Sequence, residues 1–164
     1  DGPPDPEDAE REAKLLRATG AASLAELAAA TRLELCDKRL VGLPEVFCSF
    51  TRLEHLDLSH NRLRLLPPGL PRLRALRELD LSNARLEELP PEIGRLSALE
   101  RLDLSSNGDL ASLPDGFCKL AKLQWLSLAH CRCLDRLLED FGKLRALEEL
   151  DLSSTSLAAL PESF

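Results

Sequence analysis

The stretch Leu76-Arg77-Glu78-Leu79-Asp80-Leu81-Ser82-Asn83, followed by Leu86 and then by Leu89-Pro90, decides the fold because the chain repeats it. Near-copies precede and follow it, for example LEHLDLSH from Leu53 and LERLDLSS from Leu99. The repeats begin at Ala30, Leu53, Leu76, Leu99, Leu123 and Leu147, at intervals of 23, 23, 23, 24 and 24 residues. A fixed period of this length indicates a repeat architecture in which each unit packs mainly on its neighbours.

Apolar residues occupy positions 1, 4 and 6 of each repeat, as Leu53, Leu56 and Leu58 do in the second repeat. Alternation at positions 4 and 6 has the period of a strand, so it predicts one short strand per repeat with leucines inside and polar residues outside. Successive strands would stack in parallel about 4.8 Å apart. The pattern therefore predicts a solenoid with one parallel sheet.

The second half of each repeat supplies further core residues and a turn. Position 9 holds Asn61 and Asn107, whose amides can pair with backbone groups of neighbouring turns. The other repeats have Lys38, Ala84, Cys131 and Thr155 there, so their backbone hydrogen bonds need other partners. One outer-layer site is predicted to be filled by Phe47, Leu70, Ile93, Phe117, Phe141 and Phe164, and the anchors before it include Leu63, Leu86, Leu110, Leu157 and Leu160.

The pattern LxxLxLxxNxLxxLPxxIxxL over residues 30–164 resembles the leucine-rich repeat family. Its 23-residue length and LP dipeptide resemble the intracellular group related to Ras-pathway scaffolds and Ras suppressor proteins. The resemblance implies an α/β leucine-rich repeat solenoid with a parallel concave β-sheet. It also implies a cytoplasmic scaffold or regulator that binds proteins, with small GTPases, phosphatase subunits or signalling adaptors among the partners.

Three regions divide the chain. Residues 1–6 are predicted to be a disordered lead, because Pro3, Pro4 and Pro6 oppose regular structure. Residues 7–29 read as an N-terminal helical cap, with Gly20 ending one helix and Ser23 starting another. Residues 30–164 hold six repeats, the last incomplete and without a polar cap. We therefore expect further repeats or another chain to cover the C-terminal end.

Composition excludes several function classes. The net charge of −7 and pI near 5.1 argue against a nucleic-acid or anionic-membrane partner. No window approaches the ~18–20 apolar residues of a membrane span, and no signal-peptide pattern opens the sequence. Five scattered cysteines favour reduced thiols and hence a cytoplasmic location.

Position 5 forms an acidic stripe that two interpretations explain. Its residues are Glu34, Asp57, Asp80, Asp103, Ser127 and Asp151. The stripe could attract a basic partner surface. It could equally be the way in which an LDLS motif keeps an exposed strand soluble.

The fifth repeat departs from this pattern, because it reads LQWLSLAH where its neighbours carry charges. Trp125, the single tryptophan, falls at outward-facing position 3, and tryptophan is enriched at binding hot spots. We hypothesise that Trp125 anchors a protein partner, unless its indole simply lies flat over its neighbours Arg101 and Glu149. The predicted partner-binding residues on the concave face are Trp125, His130, Arg101, Asp103, Glu149, Glu78, Asp80, His55 and Asp57.

No catalytic, metal or cofactor site is predicted. His130 and Cys131 should diverge, since position 8 faces outward and position 9 inward, and the carboxylates line an open surface. The sequence therefore favours a non-catalytic protein-binding module. The alternatives are the targeting domain of a larger enzyme, such as a ubiquitin ligase, phosphatase or kinase, and the extracellular recognition module of a receptor.

Overall fold

The computed structural model describes residues 5–164, in which six short strands form one sheet. The strands are β1 (Arg32–Glu34), β2 (His55–Asp57), β3 (Glu78–Asp80), β4 (Arg101–Asp103), β5 (Trp125–Ser127) and β6 (Glu149–Asp151). They lie side by side in chain order, and every neighbouring pair is parallel. The predicted solenoid with one parallel sheet is confirmed.

The pairing register aligns equivalent positions of successive repeats. The central leucines form one column, Leu33, Leu56, Leu79, Leu102, Leu126 and Leu150. All but Leu150 are buried, as are the position-6 leucines of the first five repeats. Because strand residues alternate between faces, the residues on either side of each central leucine face outward. The interior is a continuous aliphatic layer, as the leucine spacing predicts.

Short 3-10 helices run along the opposite side of the solenoid. They span Glu45–Ser49, Leu70–Arg72, Ile93–Arg95, Asp115–Lys119 and Phe141–Lys143. Pro44 and Pro114 directly precede two of them, where a fixed φ suits the first helical turn. Five of the six predicted outer-layer residues are buried: Phe47, Leu70, Ile93, Phe117 and Phe141.

The sixth repeat is less buried than the others. Phe164, predicted to be an outer-layer core residue, is 59% exposed, although its ring stacks on Phe141 with centroids 6.0 Å apart. The prediction that Leu160 is a core anchor is also wrong, since the residue is 51% exposed. Phe164 stacks on a ring of the fifth repeat, and burial of an outer-layer residue in this fold needs a neighbouring repeat on each side.

Two helices precede the first strand. Helix α1 spans Pro6–Thr19 and helix α2 spans Leu24–Ala29. Gly20 ends α1 in the left-handed conformation, and Ser23 caps α2 by accepting from the Glu26 N–H. Residues 1–4 of the predicted disordered lead lie outside the described residues. Pro6 departs from that prediction, since it opens α1, where a missing N–H costs nothing.

Two asparagines connect the repeats in pairs. Asn61 donates to the Leu35 and Leu58 carbonyls and accepts from the Leu40 N–H. Asn107 makes the same bridge between the third and fourth repeats. In the fifth repeat the Cys131 thiol donates to the Leu104 carbonyl, 3.2 Å away. Where position 9 lacks an asparagine, as at Ala84, a side chain of the following repeat thus satisfies some of the backbone hydrogen-bonding groups.

Position 8 has the left-handed backbone conformation in all six repeats. The residues are Asp37, His60, Asn83, Ser106, His130 and Ser154, with φ between 49° and 61°. This turn takes the chain out of the strand, and Asp, Asn and His are among the residues that adopt it most readily. The frequent Asp, Asn and His at position 8 are consistent with this turn, but the alternation of apolar residues in the strands does not predict it.

Candidate protein-binding surface

Position 3 forms one column across the outward face of the sheet. The register places Arg32, His55, Glu78, Arg101, Trp125 and Glu149 on adjacent strands. Glu78, Arg101 and Glu149 are exposed, whereas His55 and Trp125 are half-buried. Five of the nine predicted partner-binding residues therefore share a single column.

Trp125 and Arg101 form a stacked pair within that column. The Arg101 guanidinium carbon lies 3.5 Å from the centroid of the indole ring, the geometry of a cation–π contact. The arginine covers part of the ring and leaves the rest half-exposed. Packing of the indole against Arg101 is the arrangement that the structural interpretation of Trp125 expects, and it also lowers the side-chain entropy that a bound partner would have to restrict.

The position-5 aspartates have a structural role. Asp57, Asp80, Asp103 and Asp151 each accept a hydrogen bond from the backbone N–H two residues later, at 2.8–2.9 Å. In the fifth repeat Ser127 makes the same bond to the Ala129 N–H at 3.3 Å. Such bonds fix the turn that follows each strand. The bond from Ser153 is also the main reason why the pKa of Asp151 lies below its usual range. The acidic stripe at position 5 is thus explained in part by its hydrogen bonds to the turn that follows each strand.

Other charges on the sheet pair across strands. Arg77 lies 3.9 Å from Glu54 and 3.3 Å from Glu100, so one guanidinium spans two carboxylates of the flanking repeats. His55 Nδ1 lies 3.0 Å from Glu78 Oε2, but their relative orientation is not that of a hydrogen bond. These pairs are solvent-exposed or half-exposed, and they contribute little to stability.

The concave face contains no deep pocket among the residues described. A shallow depression of about 170 Å³ is lined by residues of the first four strands, including His55, Asp57, Asp80 and Asp103. It is smaller than the roughly 300–1,000 Å³ of typical ligand sites. The position-3 pair Arg101 and Trp125 extends the surface beyond it.

His130 and Cys131 diverge as the strand pattern predicts. His130 is exposed, whereas Cys131 is buried, and its burial raises the pKa of the thiol to about 11. Across residues 5–164, no cluster of three or more His, Cys, Asp or Glu side chains has the arrangement of a metal site. Nor is any helix in this range long and apolar enough to cross a membrane.

Sequence reasoning missed a basic cleft beside the strand ends. Position 10 holds Arg39, Arg62 and Arg85 in three consecutive repeats, and all three line one cleft of about 330 Å³. His60 and Asn83 line the same cleft, with Asn83 Nδ2 3.0 Å from His60 Nδ1. The signal was available as the dipeptide Arg-Leu after position 9 in each of these repeats.

The chain is a solenoid repeat protein, with parallel strands on one open sheet face and short helical turns behind it. A leucine-rich repeat region model matches residues 69–162, and a leucine rich repeat model matches residues 28–86. The chain belongs to the leucine-rich repeat family. Domains of this family generally act as protein–protein interaction modules.

Two solved structures share the fold. A leucine-rich repeat protein of Leptospira interrogans is 33% identical with a TM-score of 0.82, and the match covers 87% of this chain and 36% of that one. An internalin from Listeria monocytogenes is 15% identical with a TM-score of 0.50, covering 94% and 62%. This chain thus spans about a third of the Leptospira protein. No curated protein matches the sequence.

Proposed function

We propose that the chain is a non-catalytic module that binds a protein partner on its concave face. The observation that carries the proposal is the half-exposed indole of Trp125 at an outward position of an otherwise polar sheet. Tryptophan and arginine are the residue types most enriched at interface hot spots. Here they are already ordered against each other before any partner binds.

The surrounding surface supports a polar rim. Glu78 and Glu149 are exposed on the strands that flank the pair, and His130 is exposed three residues after the end of β5. Asp57, Asp80 and Asp103 keep one carboxylate oxygen on the following turn, while their charge remains on the face. A half-buried aromatic centre with a charged periphery is the common anatomy of a protein interface.

We also propose that the partner is a signalling protein such as a small GTPase or an adaptor, and that the complex is cytoplasmic. The LP-type repeats resemble those of Ras suppressor proteins, and this resemblance supports the partner class. All five cysteines are free thiols, and Cys36 and Cys133 are exposed. Exposed free thiols are typical of proteins kept in a reducing compartment.

Trp125→Ala tests the concave-face proposal. Affinity capture with the wild-type chain identifies a partner, whose purified form is then titrated calorimetrically against each variant. We expect Trp125→Ala to weaken binding by roughly 2 kcal/mol or more, because it removes the aromatic centre of the surface. Lys122→Ala, which changes an exposed cation just before β5, is the control and should bind as the wild type does. Equal affinities of wild type and Trp125→Ala would contradict the proposal.

A further inference from the structure

The basic cleft beside the strand ends lies apart from the Trp125 surface. It is built by the first three repeats, whereas Trp125 and Glu149 belong to the fifth and sixth. It also contrasts in charge with a chain whose net charge is −7. We propose that this cleft binds a phosphorylated side chain, such as phosphoserine, of a peptide segment.

The three arginines are brought together by the repeat itself. Equivalent positions of neighbouring repeats follow the strand spacing of about 4.8 Å. The backbones are in direct contact here, since the Arg62 N–H donates to the Leu40 carbonyl at 2.8 Å and the His60 N–H donates to the Ser82 carbonyl at 2.9 Å. Like charges stacked this closely repel one another. An anion bound between the arginines would offset this repulsion.

The guanidinium groups are available for a ligand. Arg39, Arg62 and Arg85 are all exposed. Within residues 5–164, the arginines that form ion pairs are others: Arg11, Arg32, Arg64, Arg77 and Arg95. Two of the cleft arginines also have a left-handed backbone, with φ 53° at Arg39 and 59° at Arg85. Strained backbone of this kind clusters at binding sites.

The donor set fits a phosphate better than a carboxylate. A carboxylate is satisfied by one bidentate arginine, whereas a phosphomonoester offers three terminal oxygens to three planar guanidinium groups. Where the Asn83 amide donates to His60 Nδ1, the neutral imidazole carries its proton on Nε2 and adds another N–H donor. Asp37, which also lines the cleft, offsets one of the three positive charges. The two positive charges that remain match the charge of a phosphate dianion.

A peptide is favoured over other carriers of phosphate because the cleft adjoins the concave face. Its His60 and Asn83 lie three residues after the ends of strands β2 and β3, so an extended segment crossing the sheet would reach it. The proposal does not depend on binding at Trp125. The two surfaces can therefore be tested separately.

The test uses fluorescein-labelled Gly-Gly-phosphoserine-Gly-Gly and its unphosphorylated counterpart, measured by fluorescence anisotropy at constant ionic strength. We expect the phosphopeptide to bind at least about tenfold more tightly, since charge-assisted bonds to arginine carry the difference. Arg62→Ala and Arg85→Ala should each weaken it at least about fivefold. Arg74→Ala, an exposed arginine outside the cleft, and Trp125→Ala should leave it unchanged.

The competing outcomes are distinct. Equal binding of the two peptides, or wild-type affinity in both Arg62→Ala and Arg85→Ala, would overturn the proposal. Cleft-dependent binding of inorganic phosphate without binding of the phosphopeptide would overturn the peptide assignment. So would cleft-dependent binding only to phosphatidylcholine vesicles that contain a phosphorylated inositol lipid. Circular dichroism melting curves confirm that each variant is folded.

Discussion

Asn107 is the single residue that connects most backbone groups of the inner turns. Its amide oxygen accepts from the N–H groups of Ala84 and Leu86, and its amide nitrogen donates to the Leu81 and Leu104 carbonyls. The side chain is 0% exposed. We expect Asn107→Ala to lower the free energy of unfolding by about 3 kcal/mol or more, because it leaves several buried groups without partners. Urea denaturation followed by circular dichroism measures this.

Thr155→Ala is the matched control for that prediction. Thr155 occupies position 9 of the sixth repeat, is half-buried, and donates only to the Leu152 carbonyl of its own repeat. We expect it to cost about 1 kcal/mol or less, since one hydrogen bond within a turn is lost near solvent. Comparable losses in the two variants would show that the bridge between repeats does not carry the stability.

What could be predicted for single residues depended on whether the fold constrained them. The bridging role of the asparagines followed from a polar residue at an inward position, and it is confirmed. The contact of Arg101 with Trp125 was one of two interpretations of the sequence, because the register fixes only their adjacency and a side-chain rotamer decides the stacking. The cleft was not predicted because position 10 lies outside the leucine pattern and varies between repeats, from arginine to Gly108 and Ser156.

Among the elements, the 3-10 helices of the third and fourth repeats make a close approach that depends on glycine. A Cβ at Gly94 would lie 2.0 Å from the Gly116 carbonyl oxygen, and one at Gly116 would lie 2.3 Å from the Pro91 oxygen. We expect Gly94→Ala to destabilise the protein by about 2 kcal/mol, because the two helices must move apart. Thermal denaturation measures the change.

Gly108→Ala provides the comparison. A Cβ there meets nothing within 4 Å, so we expect a change within about 0.5 kcal/mol. If Gly94→Ala were equally silent, the contact between the two outer helices would not limit the packing of the repeats.

The strands were predictable as elements, while the outer segments were predictable only as turns. Leucines at positions 4 and 6 fix the pairing register of the strands, because a shift of the register by one residue would expose the whole column of leucines. The outer segments carry only one or two buried residues each, such as Ile93 alone or Phe47 with Cys48, and so few residues define no period. Their 3-10 conformation is set by packing against neighbouring repeats.

On the scale of the whole molecule, charges of both signs lie on both sides of the solenoid. The position-5 carboxylates share the sheet with Arg32 and Arg101. On the outer side, Arg95 pairs with Glu92 and Lys143 pairs with Asp140. The net charge of −7 is therefore a poor guide to any one surface. For the same reason, the net charge did not reveal the basic cleft.

The continuous interior also makes the stability of the whole molecule sensitive to alkaline pH. Burial raises the pKa of the Cys48 thiol from 9.0 to about 12 and that of Cys131 from 9.0 to about 11. Above pH 9 the unfolded chain loses these protons while the folded chain keeps them. The contribution of these two thiols to the free energy of unfolding is thus fully present below pH 9. It falls as the pH rises, until about pH 11 for Cys131 and about pH 12 for Cys48. Urea midpoints measured from pH 8 to pH 11 should decline accordingly.

Substitution separates the thiols from the lysines that also titrate in this range. The double variant Cys48→Ala with Cys131→Ser removes both buried thiols, so its midpoint should decline less steeply above pH 9. Cys36→Ser removes an exposed thiol and should keep the wild-type slope. The same burial predicts that iodoacetamide at pH 8 modifies Cys36 and Cys133 in the folded protein and reaches Cys48 and Cys131 only in denaturant. Identical slopes in the double variant and the wild type, or rapid labelling of all five thiols, would show that the repeats open more readily than their packing implies.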